Sequence, residues 1–251
     1  MRFPSPVSRR SSLVAIATGV FAVVGVLPDS VEAQPDPSDE YIIVSGGPSL
    51  MEWEKYRREE HRHDQWWGNF VRSARLRIQQ LQKHYEEPVN ITWLVFRPAY
   101  DRRAGEDGKP LISFIESVRD KYKVKLVYFD TGDDVIRYLN EGQNRRKLKI
   151  GGFEYFGHSN KYCWTFDYSN EILGASSAYL HQRDLRQLKR GIFARNAFCK
   201  SWGCHSGESF VQAFKKATGV RMLGAVGKTD YSQIYRQVLP FISTPGGRWT
   251  S

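Results

Sequence analysis

Residues 41–47, YIIVSGG, form a compact apolar run that ends in a pair of glycines. A short apolar run of this kind predicts a buried β-strand, and the glycine pair predicts a turn where the strand ends. Further along the chain, similar runs recur between stretches in which apolar residues have helical spacing. The other predicted strands are residues 91–96, 125–129, 150–156, 194–202 and 222–226.

Helical patterns fill most of the sequence between these strands. Apolar and aromatic residues recur at roughly helical spacing over residues 50–85, 111–122, 133–139 and 206–218. Thr131 is the predicted cap of the third helix, Ser206 is the predicted N-cap of the fourth, and Gly219 is its predicted stop. The segment 97–110 carries two glycines and predicts a polar loop.

Strands separated by helices indicate an α/β fold with a mostly parallel sheet and helices on both of its faces. The predicted domain covers residues 41–251, which is enough chain for a substantial core. It is preceded by residues 34–40, QPDPSDE, which are polar, contain two prolines and predict a disordered lead-in.

The first 33 residues predict a removable signal peptide. A basic start is followed by an apolar run over residues 13–27 and by small residues at Val31 and Ala33, the positions that a signal peptidase inspects. This run is shorter than the ~20 apolar residues of a spanning helix, which favours a signal over an uncleaved anchor. No second apolar run is long enough to cross a membrane, so no span is expected after signal removal. Arg9 and Arg10 also resemble a twin-arginine signal. The protein is therefore expected to be exported to the periplasm or the extracellular space, by either the Sec or the twin-arginine route.

The net charge of +10 falls to about +9 once this segment is removed. Its basic residues are spread among acidic ones, which indicates a solvated basic surface and no nucleic-acid partner. The aromatic residues between Trp53 and Phe70 are interpreted as core packing. No sequence signal indicates an oligomeric state.

Two strand ends carry residues of chemical interest. The strand at 150–156 is followed by His158, and the strand at 194–202 is followed by Cys204. Because ligand chemistry gathers beyond the carboxyl ends of strands in open α/β sheets, neighbouring strands would bring these two side chains to one edge. An imidazole beside a thiol is the combination that nucleophilic catalysis needs. A helix that begins at Ser206 would favour the Cys204 thiolate further through its dipole.

This pattern resembles the caspase-like superfamily of cysteine peptidases, which includes caspases, legumain, separase and the gingipains. Two motifs carry the resemblance: a strand ending in Gly157-His158, and, 46 residues later, a strand followed by GCHSG around Cys204. The second motif is closest in style to legumain and the gingipains, and the opening IIVSGG is also similar to the start of legumain. The resemblance implies a three-layer caspase-like sandwich and an exported endopeptidase without a cofactor, acting on peptide or protein substrates.

The resemblance also implies a role for each site residue. Cys204 would attack the peptide carbonyl, His158 would protonate the leaving amine, and the backbone N–H groups of Ser159 and Cys204 would form the oxyanion hole. Ser159 departs from the family, which has a glycine there. The substrate pocket maps to Trp202 and to residues 227–230, where Asp230 would select a basic side chain and Lys228 an acidic one.

Two alternatives use the same residues. His158, Cys163, Cys199, Cys204 and His205 supply enough ligands for a tetrahedral zinc site, although they lack a close C-x2-C pair. A fold that has lost activity would instead be a binding module, which the departure at Ser159 and the bulk of His205 beside the nucleophile favour. A disulfide between Cys163 and Cys199 would leave Cys204 as the free thiol that a peptidase needs.

Overall fold

A computed structural model describes residues 36–49, 59, 66–85, 88–167 and 178–251. In chain order the strands are β1 (Glu40–Ser45), β2 (Asn90–Phe96), β3 (Lys125–Phe129), β4 (Ile150–Phe156), β5 (His158–Ser159), β6 (Cys163–Asp167), β7 (Ala178–His181), β8 (Phe193–Ser201), β9 (Gly224–Val226), β10 (Thr229–Asp230), β11 (Phe241–Ile242) and β12 (Arg248–Thr250). The α-helices are α1 (Asn69–His84), α2 (Arg97–Asp107), α3 (Leu111–Tyr122), α4 (Gly132–Glu141) and α5 (Phe210–Thr218).

A parallel five-stranded sheet forms the centre of the molecule, with strand order β3-β2-β1-β4-β8. Every residue of β1 is buried, as expected for a central strand covered on both faces. Three short antiparallel sheets, β5-β6-β7, β9-β12 and β10-β11, accompany it. The α/β fold and the mostly parallel sheet predicted from the sequence are confirmed.

The two faces of the sheet bury separate cores, which gives the molecule three layers. Ile42 and Val44 of β1 belong to one core, into which α4 and α5 pack their apolar residues. Tyr41 and Ile43 of the same strand belong to the other core, together with residues of α1 and α3. Alternate side chains of a strand point to opposite faces, so one short run of sequence supplies both cores.

Helix α4 begins with a capping box, as the sequence predicts at Thr131. The Thr131 hydroxyl accepts a hydrogen bond from Asp134 N at 3.3 Å, and the Asp134 carboxylate accepts one from Thr131 N at 2.9 Å. The pair satisfies two backbone donors at the helix start that would otherwise have no partner within the helix.

We expect Thr131→Ala to lower the free energy of unfolding by about 1 kcal/mol, because the alanine cannot accept the Asp134 hydrogen bond. Urea unfolding followed by circular dichroism measures this change. The matched control is Ser113→Ala, which removes an exposed hydroxyl within α3 that caps no helix. Equal stability of the two variants would contradict the capping role.

The prediction of a polar loop over residues 97–110 is wrong, because most of this segment forms α2. Two of its three buried side chains explain why, since they form hydrogen bonds to the segment after β1 and do not form an apolar stripe. Tyr100 donates to Gly46 O at 3.0 Å, and Arg103 donates to Ser49 O at 2.8 Å. Gly108 ends the helix with φ of 60°, a conformation that glycine adopts at little cost.

The helix predicted over 206–218 is corrected at its start. Residues Ser206–Glu208 form a 3-10 turn, and α5 begins only at Phe210. Ser206 does not cap α5, because its hydroxyl donates to Gly203 O at 3.0 Å. The dipole of α5 therefore begins six residues beyond Cys204 and cannot favour its thiolate as the sequence predicted. The stop at Gly219, with φ of 80°, is confirmed.

The prediction of a disordered lead-in over residues 34–40 is wrong at its C-terminal end, where the first strand begins. Glu40 is the first residue of β1 and is fully buried. Its carboxylate pairs with Arg145 at 2.5 Å and accepts hydrogen bonds from Thr92 at 2.6 Å and Tyr138 at 2.7 Å. The polar, proline-containing segment predicted that Glu40 is exposed to solvent. Glu40 is buried instead, because Arg145, distant in sequence, neutralises its charge inside the fold.

The predicted signal peptide, residues 1–33, lies outside the described residues, as do most of residues 50–65 in the first predicted helix. In the part of the chain that the structure describes, no helix has the length and apolar character needed to cross a lipid bilayer.

Candidate active site

Strands β4 and β8 are parallel neighbours, with Tyr155 opposite Ser201 near their carboxyl ends. His158 follows β4 and Cys204 follows β8, so both lie beyond the same edge of the sheet. The two segments are in direct contact, because the Ser159 hydroxyl donates to Cys204 O at 2.5 Å. Neighbouring strands thus bring the histidine and cysteine segments together, as the sequence predicts.

Gly203 allows this close approach. A Cβ atom at this position would lie 2.2 Å from Ser159 Oγ and 3.0 Å from Gly157 O. These distances are far inside van der Waals contact, so any larger residue would push the β4 and β8 ends apart. The glycine before the cysteine therefore sets the spacing of the two segments.

His158 is held on three sides. Ser49 Oγ lies 3.4 Å from its Nε2 atom, and Phe70 meets the ring edge-on with centroids 4.9 Å apart. Tyr155 donates its hydroxyl to the His158 carbonyl at 2.7 Å. Arg103 in turn fixes the Ser49 segment through the hydrogen bond to its carbonyl. His158 as a whole is 8% exposed, so protein contacts set the orientation of its ring.

Cys204 is half-buried against Thr229. The backbone N–H of Thr229 donates to Cys204 Sγ at 3.4 Å, and Thr229 Oγ1 lies 3.5 Å from the same sulfur. Because the Thr229 hydroxyl donates its proton to Trp202 O at 2.8 Å, its oxygen can accept from the thiol. An N–H donor aimed at sulfur favours the thiolate, which is the nucleophilic form.

The backbone of Ser159 suits the oxyanion role that the sequence gives it. Ser159 pairs with Trp164 across β5 and β6, and the neighbouring residue is hydrogen-bonded to β6, since Asn160 N donates to Cys163 O at 3.0 Å. Hydrogen-bonded and non-hydrogen-bonded pairs alternate along antiparallel strands. Ser159 and Trp164 are therefore a non-hydrogen-bonded pair, and the Ser159 N–H points away from β6. Ser159 does not have a positive φ, which means that a serine fits here as well as a glycine.

His205 adopts the left-handed conformation directly after the candidate nucleophile, with φ of 60°. Its N–H donates to Gly227 O at 2.7 Å, and its Nδ1 atom contacts Glu208 Oε1 at 2.6 Å. The hydrogen bond with His205 is the main reason that the pKa of Glu208 lies below its usual value. The His205 imidazole is thus hydrogen-bonded to Glu208. The sequence suggested only that this bulky side chain crowds Cys204.

We expect His205→Gly to be more stable than His205→Ala by about 1 kcal/mol, because only the alanine keeps the cost of the left-handed backbone. Both variants lose the Glu208 contact, so each is the control for the other. Thermal unfolding measures the difference. Identical stabilities would show that the turn relaxes out of this conformation.

Trp202, predicted to contact substrate, is 5% exposed. Its indole N–H donates to Glu154 at 2.6 Å, and its ring stacks on Phe156 with centroids 5.5 Å apart. Lys200 Nζ lies 3.7 Å from the ring centroid, and Trp249 covers the ring edge-on at 5.3 Å. These contacts give Trp202 a structural role in the core, and we assign no substrate contact to it.

The segment 227–230, which the resemblance places in the substrate pocket, lies beside Cys204. Within this segment Thr229 contacts the Cys204 sulfur. The resemblance instead implies that Asp230 or Lys228 selects the substrate side chain. Asp230 is half-buried and accepts a hydrogen bond from Ser232 N at 2.6 Å. Lys228 is exposed. Both positions remain predictions for substrate contact.

All three cysteines lie in the described part of the chain, and all three are free thiols. The disulfide between Cys163 and Cys199 is therefore not formed. Burial raises the pKa of Cys163 and raises that of Cys199 much further. Within the described residues no three histidine, cysteine or acidic side chains gather as metal ligands, so the proposed zinc ligands do not form a cluster.

Three residues of the site were missed by sequence reasoning: Ser49, Phe70 and Tyr231. Tyr231 packs edge-on to Phe70, accepts from Gly157 N at 3.2 Å and donates to Trp202 O at 3.2 Å. Of the three, only Ser49 has a sequence signal. It follows the glycine pair at the carboxyl end of β1, which is next to β4.

No protein-family model, curated protein or solved structure matches this chain. The resemblance to caspase-like peptidases consequently rests on the sequence motifs around His158 and Cys204.

Proposed function

We propose that this protein is an exported cysteine endopeptidase that cleaves peptide bonds with Cys204 as nucleophile and His158 as acid and base. The observation that carries the proposal is the bonded contact between the two strand ends, Ser159 Oγ to Cys204 O. It brings the segment of the buried His158 against the segment of the half-buried Cys204, and nucleophilic catalysis by cysteine uses a histidine and a thiol on adjoining segments.

The reaction proceeds in two steps. His158 takes the thiol proton, and Cys204 Sγ bonds to the carbonyl carbon while the carbonyl π pair moves onto oxygen. The backbone N–H groups of Ser159 and Cys204 stabilise that oxyanion. When the oxyanion collapses, the C–N bond breaks and His158 protonates the departing amine. Water then attacks the thioester with His158 as base, which releases the acid product and restores the thiol.

Ser49 and Thr229 are positioning residues in this scheme. Ser49 engages His158 Nε2, so we assign proton transfer to Nδ1. Thr229 holds the sulfur through its N–H, which restricts the direction of attack. Neither residue exchanges a proton with the substrate. The same scheme leaves the selectivity between basic and acidic substrate side chains to Asp230 and Lys228.

A peptide-library cleavage screen tests the proposal, with products identified by mass spectrometry. The protein should cleave a subset of peptides, and Cys204→Ala should cleave none of them. Cys163→Ala is the matched control, since it removes a half-buried thiol away from the nucleophile and should retain cleavage. An absence of cleavage by the intact protein would favour the binding-module alternative. Cleavage that survives Cys204→Ala would overturn the assignment of the nucleophile.

A further inference from the structure

A cavity of about 360 Å³ lies between α1 and α3, and neither His158 nor Cys204 lines it. Its walls are aromatic and aliphatic, and we call it the α1–α3 cavity. Trp67 stacks on Phe114 with ring centroids 6.0 Å apart and an interplanar angle of 25°, and Trp66 tilts against Trp67. Its size is at the lower end of the range for small-molecule sites, which is about 300–1,000 Å³.

The sequence interpretation of this aromatic series as core packing holds only in part. Phe70 is buried at 3% exposure, whereas Trp66 and Trp67 are half-buried and face the cavity. Phe114 is 44% exposed. Large aromatic side chains that form a concave and accessible surface are typical of ligand sites.

Three cations line this cavity: Arg72, Arg75 and Lys121. None of them forms an ion pair with a carboxylate, and no acidic residue lines the cavity, as far as the described chain goes. The nearby acids of α3 are Glu116 and Asp120, and both pair with Arg119. Among the described residues, therefore, no carboxylate neutralises the positive charge at the cavity.

The cations interact with aromatic rings of the cavity. Arg72 lies over the ring of Trp66 at 4.8 Å, and Lys121 lies over the ring of Tyr122 at 5.4 Å. Cation–π contacts of this kind orient the charges without neutralising them. Each cation thus stays available to an anion that enters between the rings.

Tyr122 adds a donor at the same place. Its oxygen accepts from Gln79 at 2.6 Å and from Arg75 at 3.5 Å, so its own proton can be donated to an acceptor in the cavity. Although burial raises the pKa of Tyr122, the hydrogen bond from Arg75 and the charges of Arg75 and Lys121 bring it below its usual value. That direction agrees with a positive potential at the cavity.

We propose that the α1–α3 cavity binds a small organic anion with a flat, apolar ring system and one acidic group. The ring system would stack among Trp66, Trp67 and Phe114, and the acidic group would be held by Arg72, Arg75 and Lys121. An alkyl acid would satisfy the cations but would lose the stacking, and an uncharged ring would stack but would leave the cations without a counter-ion.

Titration with 8-anilinonaphthalene-1-sulfonate tests this proposal, because the probe combines flat rings with a sulfonate. The protein should bind one equivalent, with energy transfer from tryptophan to the probe. Arg72→Gln and Arg75→Gln should each weaken binding by at least about tenfold, since each removes a charged hydrogen-bond donor. Arg137→Gln is the matched control, because Arg137 is an exposed arginine of α4, which packs on the opposite face of the sheet.

Competition against the bound probe distinguishes the parts of the ligand. 2-Naphthoate should displace the probe, whereas octanoate, which lacks rings, and 2-naphthol, which lacks the acid, should each compete at least about tenfold less well. Equal competition by octanoate would overturn the flat ring system, and equal competition by 2-naphthol would overturn the acidic group. Binding that is not saturable, or that is unchanged in both arginine variants while near-ultraviolet circular dichroism stays native, would overturn the site itself.

Discussion

Replacement of His158 by alanine is expected to lower the rate of peptide cleavage by about 10²- to 10⁴-fold, the usual contribution of a general acid and base. The alanine cannot take the thiol proton or protonate the departing amine, although the nucleophile remains. Steady-state kinetics on a peptide found by the library screen measure the loss. A fall in kcat with a similar KM is expected, because the role proposed for the imidazole is in proton transfer to and from the reacting atoms and not in substrate binding.

A structural contribution of His158 must be separated from a chemical one, since the ring packs on Phe70. Thermal unfolding of the variant gives the structural part. Ser49→Ala provides the second comparison: it removes only the contact to Nε2, so it should lower the rate less and shift its pH profile. Activity that is unchanged in His158→Ala, with the variant still folded, would exclude His158 from the chemistry.

Replacement of Glu40 by alanine is expected to destabilise the protein by about 3–5 kcal/mol. The change leaves the Arg145 guanidinium buried without its carboxylate, and it removes the acceptor of Thr92 and Tyr138. Because a typical domain is stable by only about 5–15 kcal/mol, the variant will be close to unfolding at room temperature. Urea unfolding measures the change, with expression level as a secondary sign.

The double variant Glu40→Leu with Arg145→Met tests whether the uncompensated charge causes this loss. It should be more stable than Glu40→Ala, because no buried charge then lacks a partner. Glu141→Ala is the surface control, since it breaks an exposed ion pair with Lys189 and should leave the stability unchanged. A Glu40→Ala variant as stable as the Glu141→Ala control would contradict the buried role of Glu40.

The central sheet was predictable because its strands are continuous apolar runs. Residues 150–156 match β4, which is buried throughout, at both ends, and residues 125–129 match the edge strand β3 at both ends. Helix α4 was predictable for a local reason, the capping box at Thr131. Both features depend on neighbours in sequence.

The errors fall where distant residues decide the structure. Helix α2 has few apolar residues, and it is held by Tyr100 and Arg103 bonding to the segment after β1. Glu40 is ordered by Arg145, which lies 105 residues away along the chain. These partners are distant in sequence, so the local composition gave no sign of them. It therefore predicted a loop over residues 97–110 and a disordered segment over residues 34–40.

The candidate site divides in the same way. Topology alone predicts that His158 and Cys204 lie at one edge of the sheet, since each follows a strand and the two strands are neighbours. The contacts that hold them come from Ser49, Thr229 and Phe70, on segments whose approach depends on tertiary packing. The resemblance implied a substrate contact for Trp202, but the residue is buried in the core.

The rate of alkylation of Cys204 by iodoacetamide, measured against pH in the protein and in His158→Ala, tests the proposed dyad most directly. Peptide mapping by mass spectrometry reports all three cysteines in one sample. We expect Cys204 to be modified first and at neutral pH, ahead of Cys163 and Cys199, whose pKa values burial raises. We also expect His158→Ala to move the onset of Cys204 alkylation to higher pH. Modification of Cys163 before Cys204, or a profile that His158→Ala leaves unchanged, would contradict the dyad.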